Sequence, residues 1–360
     1  MLTWLAHRLD GDLAADEVVD LYPAVAWRSG RHWKLRVRGC VYEPSTVPGV
    51  TRLIRRWLGV DPDGLDPAAR ELVARRLAPF LVDKERGKRF HLHLGPHERV
   101  LGMTQANGHF DGTFRFTETE WSQASLPTSH SAAVPVRLRT RRVGRDLSMP
   151  MQVIAGGGWS VVADIDDTVK ITDVLNRRET VLNTFARPFR AVDGIADAFA
   201  DWNRRFDPDW HYVSGGPWQL WSALEQFRSE AGLPVGSWHM QEFRAKDRSA
   251  LRFLGPPVKH KLAEIRQLIR LDPARRFILV GDSGQGDPEI YGQVATEFPG
   301  RIAWVWIREL GGEGADSPRY ERAFGGGCVG GWGTFHSGAD LVGWASHPRS
   351  SGEGFPAAGP

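Results

Sequence analysis

The chain has 360 residues with 41% hydrophobic side chains, including 15 Trp and 17 Phe, a composition that excludes a disordered or fibrous protein and is comfortable for two domains. The formal net charge of +3 is too small to argue for a nucleic-acid partner. No stretch approaches 18 uninterrupted apolar residues, which excludes a transmembrane helix, and the first residues lack the basic-then-apolar pattern of a signal peptide.

Residues 1–153 read as a β-rich N-terminal domain. WKLRVRGCVYEP (33–44), RFHLHL (89–94), HFDGTFRF (109–116) and VPVRLRTRRV (134–143) alternate apolar and polar side chains, as half-buried strands do. Asn107-Gly108 predicts a hairpin turn. Two helical insertions are expected, over 50–60 (VTRLIRRWLGV) and 67–81 (PAARELVARRLAPFL). Short strands without a βαβ rhythm predict a mainly antiparallel, β-sandwich-like domain. His91 and His93 share a strand face with His97 nearby; a solvated face is favoured over a metal site. Arg137, Arg139, Arg141 and Arg142 suit anionic lipid or nucleic acid, but an edge strand protected by charge is the favoured reading. Cys40 and Cys328 form neither a disulfide framework nor a CxxC site. That suits a reducing, cytoplasmic setting, with peripheral contact to a membrane left open.

After Gly156-Gly157-Gly158 the rhythm changes, over residues 154–345. WSVVADID (159–166) reads as a strand buried on both faces. A helix over 191–206 follows, with Ile195, Phe199 and Trp202 on one face and Asp193 as its N-cap. Then come a strand at 210–215, helices at 217–232 and 260–271, a strand at 276–284, a helix at 287–298 and a strand at 301–307. Such alternation predicts an α/β domain with a doubly wound parallel sheet. The Gly-rich tail carries Trp332, Phe335 and Trp344, expected to pack on this domain rather than insert into a membrane, and 346–360 read as a flexible end.

In such a sheet, active sites form at the carboxyl ends of strands. One end carries Asp164, Asp166, Asp167 and Thr168, where three carboxylates demand a cation or a catalytic reason. Another carries Ser214-Gly215-Gly216, and a third Gly281-Asp282-Ser283-Gly284-Gln285-Gly286-Asp287. Lys261 opens the helix before the third strand. DxDxT, a strand ending in Ser, a Lys and GDxxxxD, in that order, resemble the haloacid dehalogenase (HAD) superfamily. DIDDTVKITDV, HYVSGGPWQL, HKLAEIRQL and GDSGQGDPEIY are similar to the App1-type phosphatidate phosphatase catalytic domain, over roughly 155–310.

The resemblance implies a HAD-like fold and an Mg²⁺-dependent phosphatase, and phosphoryl transfer asks for the same groups. Asp164 is expected as the nucleophile that forms an aspartyl-phosphate, and Asp166 as the acid–base group. Thr168 would support the nucleophile through its hydroxyl. Ser214, Gly215 and Lys261 would bind the phosphate, with Lys259 as the rival lysine. Asp164, the Asp166 carbonyl and Asp282 would hold Mg²⁺, with Asp287 behind them or acting through water, and Asp167 outside. Gln241 stands where the family commonly has a basic residue, and this loosens the substrate. The implied reaction is phosphatidate to diacylglycerol and phosphate. The alternatives are a soluble phosphomonoester or phosphoprotein as substrate, or a binding protein with a vestigial catalytic domain. A dehalogenase is disfavoured, because it needs neither Asp166 nor the second acidic cluster.

Overall fold

The computed structural model describes residues 11–43, 64–129, 131–154, 156–242 and 258–344. The helix expected over 50–60 and the tail from 346 lie outside the described residues. The chain divides into two compact units. The described residues of 1–50, 78–156 and 242–248 form one, and those of 51–77, 157–241 and 249–360 the other.

The first unit is a nine-stranded, mainly antiparallel sheet. Its strands are β1 (Val18–Leu21), β2 (Ala24–Ser29), β3 (His32–Glu43), β4 (Asp83–Lys84), β5 (Arg89–Leu94), β6 (His97–Met103), β7 (His109–Thr117), β8 (Ser131–Arg139) and β9 (Gly144–Ile154). They form one hydrogen-bonded network rather than two separate sheets, because β3 pairs with β1, β2, β4 and β7. Alternation places Trp33, Leu35 and Val37 of β3 inward, in one core with Phe114 and Phe116 of β7. Two expectations are corrected. Gly108 does close a tight turn on Gln105, but β6 pairs with β5 and β7 with β3, so the turn joins strands that lie in different ladders. The basic strand β8 is not an edge: it lies between β9 and β5, with Arg137 and Arg139 on an exposed face opposite His93 and His91. Its charges solvate the open face, and its backbone groups are already paired.

The second unit is built on a six-stranded parallel sheet of β10 (Trp159–Asp164), β11 (Asp209–Pro217), β12 (Gly236–Gln241), β13 (Arg276–Asp282), β14 (Ile302–Arg308) and β15 (Trp332–Phe335). The order is β12-β11-β10-β13-β14-β15, and every pair is parallel. From β10 the chain steps outward to β11 and β12, then restarts on the other side at β13. The carboxyl ends of β10, β11 and β13 therefore meet at the point where the winding reverses. Helix α1 (Pro67–Leu77) groups with this unit, not with the strand-rich region around it in sequence, and Arg76 bonds the carbonyls of Thr184 and Arg187 at 2.9 and 2.7 Å.

The expected helix over 191–206 forms as α2 (Ile195–Phe206), but Asp193 is not its cap. Gly194 takes that position at φ +70°, and the Asp193 carbonyl accepts the Gly338 N–H at 2.7 Å. A Cβ on Gly338 would lie 2.0 Å from the Gly194 carbonyl, so the two glycines let the backbones touch. The tail is more structured than its composition predicts. A short helix, Pro318–Phe324, precedes β15, which adds to the sheet beside β14. Trp344 packs 5.5 Å from Trp202 and 5.0 Å from Trp304, between ring centroids. Trp202 is fully buried, and its Nε1 donates to the Leu341 carbonyl at 3.3 Å. Trp202→Ala is expected to cost about 3–5 kcal/mol in urea unfolding. A loss below about 1 kcal/mol would show that the tail does not seal this core.

Candidate active site

The run Val161-Val162-Ala163 is fully buried, and it delivers Asp164 to the sheet's carboxyl edge. The chain then turns tightly: the amides of Val169 and Lys170 bond the Ile165 carbonyl at 3.1 and 2.9 Å. Asp167 sits in the left-handed region at φ +57°. Its carboxylate accepts the amides of Thr172, Asp173 and Val174 at 2.8, 2.9 and 2.6 Å. Asp167 is therefore the internal frame of the loop and stays apart from the ion cluster.

Asp164 is buried beside Lys261, whose Nζ lies 2.6 Å from Asp164 Oδ1 and 2.7 Å from Asp287 Oδ1. Thr168 donates to Asp164 Oδ2 at 3.3 Å. Lys261 projects from α3 (Val258–Leu271), and Lys259 of the same helix is exposed. Asp287 heads α4 (Asp287–Glu297), and its Oδ2 accepts the Asp282 amide at 3.2 Å. Asp282 Oδ1 accepts the amides of Gly284 and Gln285 at 2.7 and 3.1 Å. Ser214 is buried at the end of β11, and its Oγ accepts the Gly216 amide at 2.9 Å.

Burial pushes the Asp164 carboxyl up to about 7, against the pull of Lys261 and with help from Asp287 and Asp166. Asp282 is raised well above the carboxylate range by burial, then by Asp287 and Asp164. Lys261 is desolvated too, but Asp164, Asp287 and Asp282 outweigh that and raise it. Asp164, Asp282 and Asp287 each offer one oxygen within 4.8 Å of the others. With all three ionised the set would carry an excess of two negative charges over its one lysine, and Asp282 Oδ2 is buried without a hydrogen bond among the described residues. An orphaned buried carboxylate oxygen in such a set fits a hard divalent cation.

Asp166 faces elsewhere. Its Oδ1 lies 2.9 Å from Lys170 Nζ and accepts the Thr172 hydroxyl at 2.7 Å, while Lys170 also bonds Thr172 Oγ1. Burial would raise its carboxyl, but Lys170 and these hydrogen bonds hold it below the usual range. Asp166, Lys170, Thr172, Ser214, Gly215 and Gln285 line a cleft together with Val174, Phe189, Leu220 and Leu224. Gln241 is half-buried on β12 and does not line this cleft.

The structure thus gathers Asp164, Thr168, Lys261, Asp282 and Asp287 in one cluster. Asp166, Ser214 and Gly215 stand on the adjoining cleft. Sequence reasoning passed over Lys170 and Thr172. A signal existed: Lys170 is one of only seven lysines and follows Asp166 by four residues. The His91, His93 and His97 set does not form a metal cluster among the described residues, and His91 pairs with Glu98 on the open sheet face.

Residues 159–309 match the family model described as "Phosphatidate phosphatase APP1, catalytic domain". Over 162 residues the chain is 31% identical to an uncharacterized protein of Schizosaccharomyces pombe, covering 44% of this chain and 26% of that one. Over 177 residues it is 29% identical to phosphatidate phosphatase APP1 of Saccharomyces cerevisiae, covering 48% and 30%. The matched region is thus less than a third of either relative's length. A solved sialyltransferase from Photobacterium damsela aligns at a TM-score of 0.23 and 6% identity, covering 61% of this chain and 37% of that one, a likeness too slight to carry an argument. Over residues 159–309, less than half of its length, this chain is similar to the catalytic domain of the App1 phosphatidate phosphatase family.

Lys261→Met would leave Asp164 and Asp287 buried without their cation. It is expected to destabilise the protein by about 3–5 kcal/mol in chemical unfolding. An unchanged midpoint would show that the pair is not held in the dry interior.

Proposed function

We propose that this chain is a Mg²⁺-dependent phosphatase that works through an aspartyl-phosphate on Asp164, with phosphatidate as its substrate and diacylglycerol as product. The observation that carries the reading is the buried Asp164–Lys261–Asp287 cluster, with Asp282 beside it, inside the region that matches the App1 catalytic-domain model. The motif order and the winding of the parallel sheet also support a HAD-like doubly wound fold. The apolar side chains of Val174, Phe189, Leu220 and Leu224 in the cleft lining favour a substrate whose phosphate is joined to an apolar body, over a small polar phosphomonoester.

Asp164 attacks phosphorus, and Thr168 holds one of its oxygens. Lys261 offsets charge on the nucleophile and on the phosphoryl oxygens. The Gly215 backbone and Ser214 bind the phosphate from β11. Asp166 gives a proton to the leaving oxygen and later takes one from water. Asp164 and Asp282 would hold Mg²⁺, with the Asp166 carbonyl beside them and Asp287 behind. When bound, the ion supplies charge neutralisation at the phosphoryl group. A vestigial binding domain is disfavoured, because buried unpaired carboxylates cost folding energy and a chain without chemistry to do has no reason to keep them.

Phosphate release with Mg²⁺ should be seen from phosphatidate in mixed micelles, and Asp164→Asn should abolish it. Turnover of soluble esters alone would keep the mechanism and remove the lipid assignment. Silence of the wild type on every ester would remove the enzyme reading. Mg²⁺ without substrate should raise the melting temperature, by a stabilisation of about 2.7 kcal/mol at 100 times Kd, and Asp282→Asn should erase the shift. A shift that survives the substitution would place the ion elsewhere.

A further inference from the structure

We propose that Lys170 is a positioning residue for the leaving-group step, fixing Oδ1 of Asp166 together with Thr172 so that Oδ2 is left to the substrate. The inference rests on the phosphatase reading above. Lys170 is 2% exposed, deeper than the Asp166 side chain at 24%. Its Nζ meets Asp166 Oδ1, bonds the Thr172 hydroxyl and lies 5.1 Å from the centre of the Phe189 ring. Thr172 donates to the same Oδ1. Among the described residues nothing bonds Asp166 Oδ2, and the side chain lines the cleft.

Two donors converge on one carboxylate oxygen, and they fix the rotation of the group. A carboxylate with one oxygen held and the other free presents a single defined lone-pair direction to a partner in the cleft. The buried lysine is also held from two sides. Phe189 covers it, and the Lys170 backbone pairs with both Asp166 and Ala191. The backbone that carries Lys170 is thus pinned on both sides, and Phe189 flanks its ammonium group.

In the first half-reaction a carboxylate oxygen of Asp164 bonds to phosphorus, and the bond from phosphorus to the alcohol oxygen breaks. The proton that Asp166 Oδ2 takes up when the anionic phosphate enters the cleft beside it moves to that oxygen. In the second half-reaction a water oxygen bonds to phosphorus, the Asp164–phosphorus bond breaks, and a water proton returns to Oδ2. Lys170 keeps its own protons throughout. It acts on the aim of Oδ2, so its removal matters most where the leaving oxygen most needs a proton.

That dependence separates this role from a structural or phosphate-binding one. An alkoxide leaves poorly without a proton, whereas a nitrophenolate leaves without one. The experiment measures kcat/KM, which reports phosphoenzyme formation, on an alkyl and a nitrophenyl phosphomonoester with wild type, Lys170→Met, Lys170→Arg, Thr172→Val and Asp166→Asn. The alkyl-to-aryl ratio within one sample does not depend on how much of it is folded. Lys170→Met should lower the alkyl value by about 10²-fold and the aryl value by less than about tenfold. Lys170→Arg should restore part of the ratio, and Thr172→Val should shift it the same way by less. An equal loss on both esters for Lys170→Met would overturn the proposal. If Lys170→Met yields no active protein, the Thr172→Val ratio decides, and an unchanged ratio overturns it. A ratio unmoved by Asp166→Asn, or a wild type inactive on phosphatidate as well as on both esters, would instead remove the mechanism on which the inference rests.

Discussion

The second unit depends on one electrostatic arrangement: three carboxylates and one ammonium group taken out of water where the winding of the sheet reverses. Asp164, Asp282 and Asp287 are all but fully buried, and so is Lys261. Such a cluster folds only when each charge finds partners within hydrogen-bond reach. The local backbone is shaped to provide them. Gly281 precedes Asp282 because a Cβ there would lie 2.4 Å from Asp287 Oδ2 and 2.8 Å from the Tyr291 ring. Without a side chain at 281, the Asp287 carboxylate can reach beneath the strand end, take the Asp282 amide and hold Lys261.

The loop after β10 solves a related problem with a different device. Three acids in four residues repel, and the structure separates them by direction. Asp164 points to Lys261, Asp166 to Lys170, and Asp167 inward to three backbone amides. The left-handed turn at Asp167 makes this divergence possible, and Arg308 at the end of β14 secures it by donating to the Asp167 carbonyl at 2.8 Å. The second strand on the far side of the switch point thus braces the loop that follows Asp164.

Much of this was legible in the sequence because the parallel sheet needs continuous apolar runs, and Val161-Val162-Ala163 and Phe277-Ile278-Leu279-Val280 stand out as such. Their polar ends, Asp164 and Asp282, mark the site without further help. What stayed hidden depends on tertiary partners. Trp332–Phe335 is a four-residue strand containing a glycine, and only its pairing with β14 makes it one. Asp193 has the chemistry of a helix cap, but the approach of Gly338 claims its carbonyl and leaves the cap position to Gly194. The charges of β8 read as edge protection because a sequence shows which face is basic and not which strands lie alongside. Lys170 was hidden among the motif residues, since a lysine four positions past a carboxylate is common and only the turn brings the two together.

Helix α3 shows how the buried charges also fix register. Lys261 reaches Asp164, and one turn later Glu264 bonds His239 Nδ1 of β12 at 2.8 Å. Between and beyond them Leu262, Ile265, Leu268 and Ile269 pack on Val162 and Val213. Apolar packing alone would tolerate a slide of the helix along the sheet, because one leucine or isoleucine replaces another at modest cost. The two polar anchors do not tolerate it. His239 is held in turn by Ser237, which bonds His211, which bonds Ser160 of β10. A buried relay of hydrogen bonds therefore runs across β12, β11 and β10 and ends on the helix that carries Lys261. Each member is satisfied only when its neighbours are in place. Hydrophobic burial seats the helix, and the polar relay sets the depth at which Lys261 meets Asp164.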